Sequence, residues 1–329
     1  MAQAEHNSAL LGSEVKYDEF ANRREYTLWR DASRRLLRNK LSMAGLFIFC
    51  ALVLMAIFGP AVAPYPYMLQ DLDRVAETPS WDHWLGTDDL GRDLLSRILW
   101  GARTAGFVAI TATSMSLALG VILGATGAFA GGWVDWMIIR LMDVVMSIPQ
   151  LLVASLVAST VRAPVHIWVE EMYERTGWSL FSTPAYVDLL VVFGALSFIQ
   201  WPSYARLIRG QILSLREKEF VEGARAAGAH EWRVLVKHLI PNASGAIIVA
   251  VTFGFAGAIV AEAGLSFLGI GVQPPQASWG TMIRDNALSW RYRPWLVAVP
   301  GFTIGLISLG INFLGDGLND ALNPKQADI

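Results

Sequence analysis

The sequence predicts an all-α integral membrane protein with six transmembrane helices, and three observations carry that reading. Of its 329 residues, 54% are hydrophobic and only 16% are charged, against about 25% charged in an ordinary soluble domain. The charges are also segregated. Asp, Glu, Lys and Arg are absent from 41–70, 104–134, 144–161, 189–205, 239–261 and 294–315. Each run is about long enough to cross ~30 Å of hydrocarbon at 1.5 Å per residue, the third and fourth by borrowing flanking residues such as Leu141, Met142, Leu207 and Ile208. Third, the even, alternating strands of a membrane barrel are missing. A backbone in lipid must satisfy its own hydrogen bonds, so these runs read as helices.

The same composition excludes other classes. Disorder, collagen and a disulfide-stapled secreted scaffold do not fit a chain this apolar with one cysteine. A net charge of −2 gives no basic excess for nucleic acid. Cys50 has no partner and sits in an apolar run, where it reads as inert packing.

In chain order, 1–40 is a cytoplasmic tail, 41–64 the first span and 65–103 an external segment. Residues 104–316 form a five-helix core that includes a cytoplasmic loop at 212–242, and 317–329 is a second cytoplasmic tail. The first 40 residues hold no apolar core, so no cleavable signal peptide is expected. Six crossings put both termini on one side. The two tails and the second and fourth loops carry 17 of the 26 Lys and Arg residues, the other loops nine. The positive-inside rule therefore assigns the termini to the cytoplasm. The densest cluster, Arg34, Arg35, Arg38 and Lys40, reads as a topology signal or an anionic-lipid contact.

In the external segment, Thr87 can cap a helix whose first turn holds Asp88 and Asp89. Leu90, Leu94 and Ile98 then form a stripe facing away from Arg92, Asp93 and Arg97, an amphipathic lead-in to span two. It is either a structural on-ramp or a substrate contact. In the spans, Gly120, Gly124, Gly127 and Gly131, then Gly254 and Gly257, then Gly301 and Gly305 allow close helix approach. Either a tight bundle or an interface with another membrane subunit would use them. Arg140 and Asp143, three apart, are expected to pair. Glu262, at the outer end of span five, is expected to face interfacial water. The uncharged stretch 263–283 is broken by Gly264, Gly269, Gly271, Pro274, Pro275 and Gly280, and reads as a span end plus a loop. Spans this poor in charge disfavour an ion-coupled secondary transporter or channel.

Enzyme signatures are absent from the sequence. The five lysines follow Val15, Asn39, Glu217, Val236 and Pro324, so none ends a P-loop. The histidines lack zinc-site spacing, no G-x-S-x-G elbow occurs, and no nucleophile–base pair supports an intramembrane enzyme. If energy is needed, another subunit supplies it.

The fourth loop is patterned. Around Glu217–Gly228, Phe220, Ala224 and Ala227 fall on one helical face, with Lys218, Glu222 and Arg225 opposite. Gly228 is placed to end that helix. A second helix over 230–238 would carry Trp232, Leu235 and Val236 on one side and be closed by Pro241. Such a hairpin can lie on the lipid surface or dock in a partner's groove.

The residues Glu222-Gly-Ala-Arg-Ala-Ala-Gly228, then nine residues, then His238-Leu-Ile-Pro241-Asn242 resemble the EAA loop of ABC-importer permeases. Gly223 departs from the first Ala of that pattern, and Gly weakens a helix by up to about 1 kcal/mol against Ala. His238 stands where the pattern has Ile, and His-x-x-Pro-Asn is similar to the variant of the dipeptide/oligopeptide/nickel branch. Four further blocks follow the same family in order. They are Arg38-Asn-Lys-Leu; His83-Trp-Leu-Gly-Thr-Asp-Asp-Leu-Gly-Arg-Asp-Leu-Leu-Ser-Arg97; Ala261 to Pro275 with Ser278-Trp-Gly280; and Leu314 to Pro324. The segment 162–188, with Trp168, Glu170, Glu171, Tyr173, Glu174 and Trp178, is longer than in relatives. It reads as lineage decoration or a contact with a solute receptor.

The resemblance implies the C-type permease subunit of a peptide or nickel importer, a type I (MetI-like) bundle with cytoplasmic coupling helices. It implies a homologous B-type permease, two ABC ATPases that bind the ATP and Mg, an extracytoplasmic solute-binding protein and a surrounding lipid bilayer as partners. The chain itself would hold no cofactor or metal and have no catalytic residue. Its location would be a bacterial or archaeal cytoplasmic membrane. The expected ATPase-coupling residues are Glu219, Phe220, Glu222, Gly223, Ala224, Ala227, Gly228 and Pro241. Dipeptides, oligopeptides, nickel chelates and oligosaccharides remain alternative cargoes.

Overall fold

The computed structural model describes residues 28–178 and 184–322. Helix α1, Leu28–Arg38, meets α2, Lys40–Val62, at Asn39, whose Oδ1 accepts the N–H of Leu41 at 3.0 Å and of Ser42 at 3.3 Å. That cap satisfies donors that the first helical turn leaves free. A segment of turns with one short 3-10 helix, Leu72–Arg74, then leads to α3, Leu94–Ala130. Next come α4, Gly132–Met146; α5, Gln150–Thr176; α6, Pro184–Arg216; α7, Glu219–Ala226; and α8, Glu231–Val234. A π turn, Leu235–Leu239, and a single turn, Ile240–Asn242, join α8 to α9, Ser244–Phe267. Short α10, Trp279–Asp285, and long α11, Trp295–Leu322, complete the chain.

Five of these, α2, α3, α5, α9 and α11, are long and apolar enough to span a bilayer. Helix α6, which carries the uncharged run 189–205, is the sixth. Helix α3 is central and packs along α6. On its other side α2, α9 and α11 gather. One core joins Leu52, Leu94, Ile98, Ile259, Leu296 and Ile311 around the fully buried Trp279. Its indole Nε1 donates to the Ile98 carbonyl at 3.1 Å. The small-residue rows act as expected in part. A Cβ on Gly124 would stand 3.0 Å from the Ala205 Cα, so α3 and α6 touch backbone to backbone there. Gly257, Gly301 and Gly305 instead face open space.

Several expectations need correction. The uncharged run 144–161 is interrupted. Helix α4 ends at Met146, and Ser147 to Pro149 separate it from α5. Pro149 lacks an N–H and pushes Ile148 out of the helical region. Helix α5 then continues past Arg162 to Thr176, so much of the anticipated external segment is the far half of one helix. Residues 179–183 of that segment lie outside the described residues, as do 1–27 and 323–329 of the tails.

Helix α3 begins ten residues earlier than the uncharged run suggested, and the capping residue is Asp93, not Thr87. Asp93 accepts the Ser96 N–H at 2.7 Å. Asp88, Asp93 and Arg97 are buried, not turned to water. Asp88 accepts from the Leu90 and Arg92 amides and from both arginine side chains, Arg92 Nε at 2.7 Å and Arg97. His83 Nδ1 lies 2.9 Å from Asp93. The reason is that 65–93 folds over the helix start as a small polar cap, a long-range event that helical periodicity does not encode.

Arg140 does not pair with Asp143. It lies over the Trp136 ring, and Asp143 receives Arg206 at 3.1 Å across the helix pair. Cys50 is exposed on α2, beside lipid-facing Phe47, Leu54 and Ile57, so it is not packed.

Candidate functional site: a helical hairpin at one end of the bundle

The two short helices α7 and α8 form a hairpin at the end of α6. The turn between them is dictated by Gly228. Ala227 is the last partly helical residue of α7, and Gly228 follows at φ +83°, a conformation that side chains with a Cβ resist. Its N–H donates to the Arg225 carbonyl at 2.9 Å and the Ala229 N–H to the Ala224 carbonyl at 3.0 Å. This pair of bonds is the Schellman ending of a helix. His230 then starts α8, its Nδ1 accepting the Trp232 N–H at 3.3 Å.

The hairpin is fixed to the bundle by apolar anchors. Val221, Val234, Leu235 and Leu239 are buried against Ile208 and Ile212 of α6 and Ala125 and Ala128 of α3. Arg225 and Glu231 clamp the two short helices, Nη2 to Oε2 at 3.0 Å. The hydrogen bond from Arg225 holds the Glu231 carboxyl below its ordinary range. Deeper along α6, Arg209 grips Asp135 of α4 through two 2.6 Å bonds, which likewise lowers the Asp135 carboxyl. A cleft of about 430 Å³ lies behind the hairpin, with Arg216, Arg225 and Glu231 in its wall.

Of the eight residues singled out in this loop, the structure leaves Glu219, Phe220, Glu222, Gly223, Ala227, Gly228 and Pro241 exposed. Ala224 is half-buried against the anchoring cluster. The exposed set is not the single apolar face expected, because Val221 takes the inward position and Phe220 turns out. In the second helix, Trp232 is 62% exposed and Val236 is also outward, while Val234 and Leu239 join Leu235 inside. Trp232 and Val236, four apart, share the outer face, and Leu235 and Leu239, four apart, share the inner one. Pro241 does not close the segment; the chain runs on through Ile240–Asn242 into α9. Sequence reasoning misses Val221, Val234 and Leu239 as anchors. Val221 and Arg225 are four apart, a signal that the larger Phe220 outweighs.

At the opposite end of the bundle, Glu262 of α9 is 1% exposed. This corrects its reading as a water-facing carboxylate. Ser266 and Ser278 each donate to its Oε1 at 2.7 Å, and Ser266 Oγ also accepts the Val272 N–H at 3.0 Å. Arg162 of α5 donates to the carbonyls of Ile270 and Gly271 at 2.7 and 2.8 Å. The loop 268–278 is thereby folded back over the carboxylate and tied to two spans. Among the described residues, no three His, Cys, Asp or Glu side chains are grouped as a metal ion would require.

Similarity to known proteins agrees with this architecture. The family model described as binding-protein-dependent transport system inner membrane component matches residues 116–328. The model for the N-terminal TM domain of oligopeptide transport permease C matches residues 27–79. The chain is 38% identical over 307 residues to the oligopeptide transport system permease protein OppC of Bacillus subtilis, covering 93% of both chains. It is 39% identical over 299 residues to the dipeptide transport system permease protein DppC of the same organism, covering 90% of this chain and 85% of the relative. It is 35% identical over 302 residues to OppC of Haemophilus influenzae, covering 91% and 89%.

Proposed function

We infer the function from one premise: the chain belongs to the family of binding-protein-dependent transport system inner membrane components. It is a multi-pass permease subunit of the inner membrane. We propose that its cargo is a di- or oligopeptide, on the strength of relatives named for those substrates. We propose further that it works beside a homologous permease, with two ATPases on the cytoplasmic side and a solute-binding receptor on the other, both termini being cytoplasmic.

The observation that carries the mechanism is the continuity between hairpin and bundle. From Glu231 to Phe267 the chain is helical almost without a break, through the π turn into α9. The hairpin's inner face is packed on α3 and α6. A push on its outer face therefore reaches three spans as a rigid displacement, not as local bending. Closure of the ATPases, seated on Glu219, Phe220, Glu222, Gly223, Ala227 and Gly228, would rock the bundle between outward and inward access. This chain needs no chemistry of its own for that; differential contact in the two states suffices.

The test uses Gly223, where an added Cβ meets nothing within 4 Å. Gly223→Trp in the assembled transporter should leave insertion and basal ATP hydrolysis intact and lower peptide uptake by about tenfold or more, the equivalent of roughly 1.4 kcal/mol in coupling. A bulky charge at Ala224 should also uncouple, with some loss of hairpin packing because that side chain is half-buried. Unchanged uptake in Gly223→Trp would remove the hairpin from the mechanism.

A further inference from the structure

Helices α5, α6, α9 and α11 enclose a cleft of about 420 Å³, within the roughly 300–1,000 Å³ of small-molecule sites. Its depth is set by the residues on its wall. Gln200 is the midpoint of α6, and Gly257 and Ser308 lie near the midpoints of α9 and α11. The break at Ser147–Pro149 puts the first residues of α5, Gln150 and Leu151, at the same level. The cleft therefore sits halfway through the bundle.

The wall is largely apolar, with Leu151, Leu196, Ile199, Phe253 and Val260 among its residues. No ionisable side chain lines it; its polar groups are the amides of Gln150, Gln200 and Asn312 and the hydroxyl of Ser308. The Gln200 Oε1 is buried and has no hydrogen-bond partner. An unpaired buried acceptor is unfavourable, and a turn of the Gln200 side chain toward the cleft would bring it to a donor there. Gly257 leaves the wall open, with no atom within 4 Å of where its Cβ would stand.

We propose that this cleft is the chain's own stretch of the translocation pathway, and that Gln200, Asn312 and Ser308 bind the main-chain amides of a passing peptide whatever the charge of its side chains. The proposal rests on the peptide reading above. A primary amide offers both donor and acceptor, the complement of a peptide N–H and C=O. A fixed charge at this depth would hold cargo of one sign and repel the other, because low dielectric magnifies both effects. A neutral wall grips every peptide alike and weakly enough to release it.

The experiment uses the complete transporter in proteoliposomes. The sole cysteine, Cys50, is replaced (C50S), and Gly257→Cys is introduced for labelling with a positively or a negatively charged methanethiosulfonate reagent. Uptake of Ala-Lys-Ala and Ala-Glu-Ala is compared before and after labelling, with receptor affinity measured separately. The negative label should lower uptake of the glutamate peptide about tenfold relative to the lysine peptide, and the positive label should do the reverse. Gln200→Glu, which needs no labelling, should shift the ratio in the direction of the negative label. Failure of Gly257→Cys to react in the assembled complex would mean that a partner subunit fills the cleft, and would overturn the proposal. An unchanged peptide ratio in the labelled protein and in Gln200→Glu would overturn it as well. A parental complex that takes up no peptide at all would instead overturn the peptide reading on which it rests.

Discussion

Glu262 illustrates how a single residue can be misjudged from its neighbours in sequence. At the end of an uncharged run a carboxylate looks interfacial, yet here two serine hydroxyls and a folded-back loop enclose it. Ser266, one turn along α9, was a visible hint. Ser278, beyond the loop, was not, because its approach depends on the path of 268–278. Glu262→Gln keeps the Oε1 acceptor and should be tolerated. Glu262→Leu strands both hydroxyls and should destabilise the complex by about 2–6 kcal/mol, at roughly 1–3 for each unpaired group. Thermal unfolding of the purified complex in detergent separates the two, and equal midpoints would show that the carboxylate does not hold the loop. Asp88 and Arg97 were misplaced for a related reason. Their burial comes from residues 65–93 closing over the start of α3, and periodicity along one helix carries no record of that closure.

At the level of elements, the six apolar runs were legible because lipid removes water as a hydrogen-bond partner, which leaves length and charge as sufficient signals. The break before α5 was written in Pro149 but hidden by the lack of charges on either side. In the hairpin, the glycine turn was legible, since few other residues take φ +83°. The inward face was not, because which side of each short helix turns inward depends on where α3 and α6 lie, and Val221, Val234 and Leu239 meet them there. Gly228→Ala should therefore destabilise the hairpin by about 1–2 kcal/mol. Gly223→Ala, in the middle of α7 with open space around it, should stabilise the helix by up to about 1 kcal/mol. Hydrogen exchange of the α7 and α8 amides reads both changes. A faster exchange in Gly223→Ala would contradict the helical reading of α7.

For the molecule as a whole, the faces left open are as informative as the cores. Large apolar side chains such as Phe47, Ile57 and Phe302 stand exposed on α2 and α11. Gly301 and Gly305 on α11 and Gly257 on α9 face nothing within this chain. The cleft beside Gly257 is lined by residues of α5, α6, α9 and α11. A cleft with amide-bearing walls and a hairpin with an exposed outer face fit a subunit that completes its work in an assembly. The direct measurement is reconstitution of this polypeptide in liposomes, first alone and then with the partner permease, ATPases and receptor proposed above. No peptide should cross with the chain alone, and flux in the full assembly should require ATP and the receptor. Peptide flux through the isolated chain, or flux in the assembly that ignores ATP, would contradict a gate driven from outside itself.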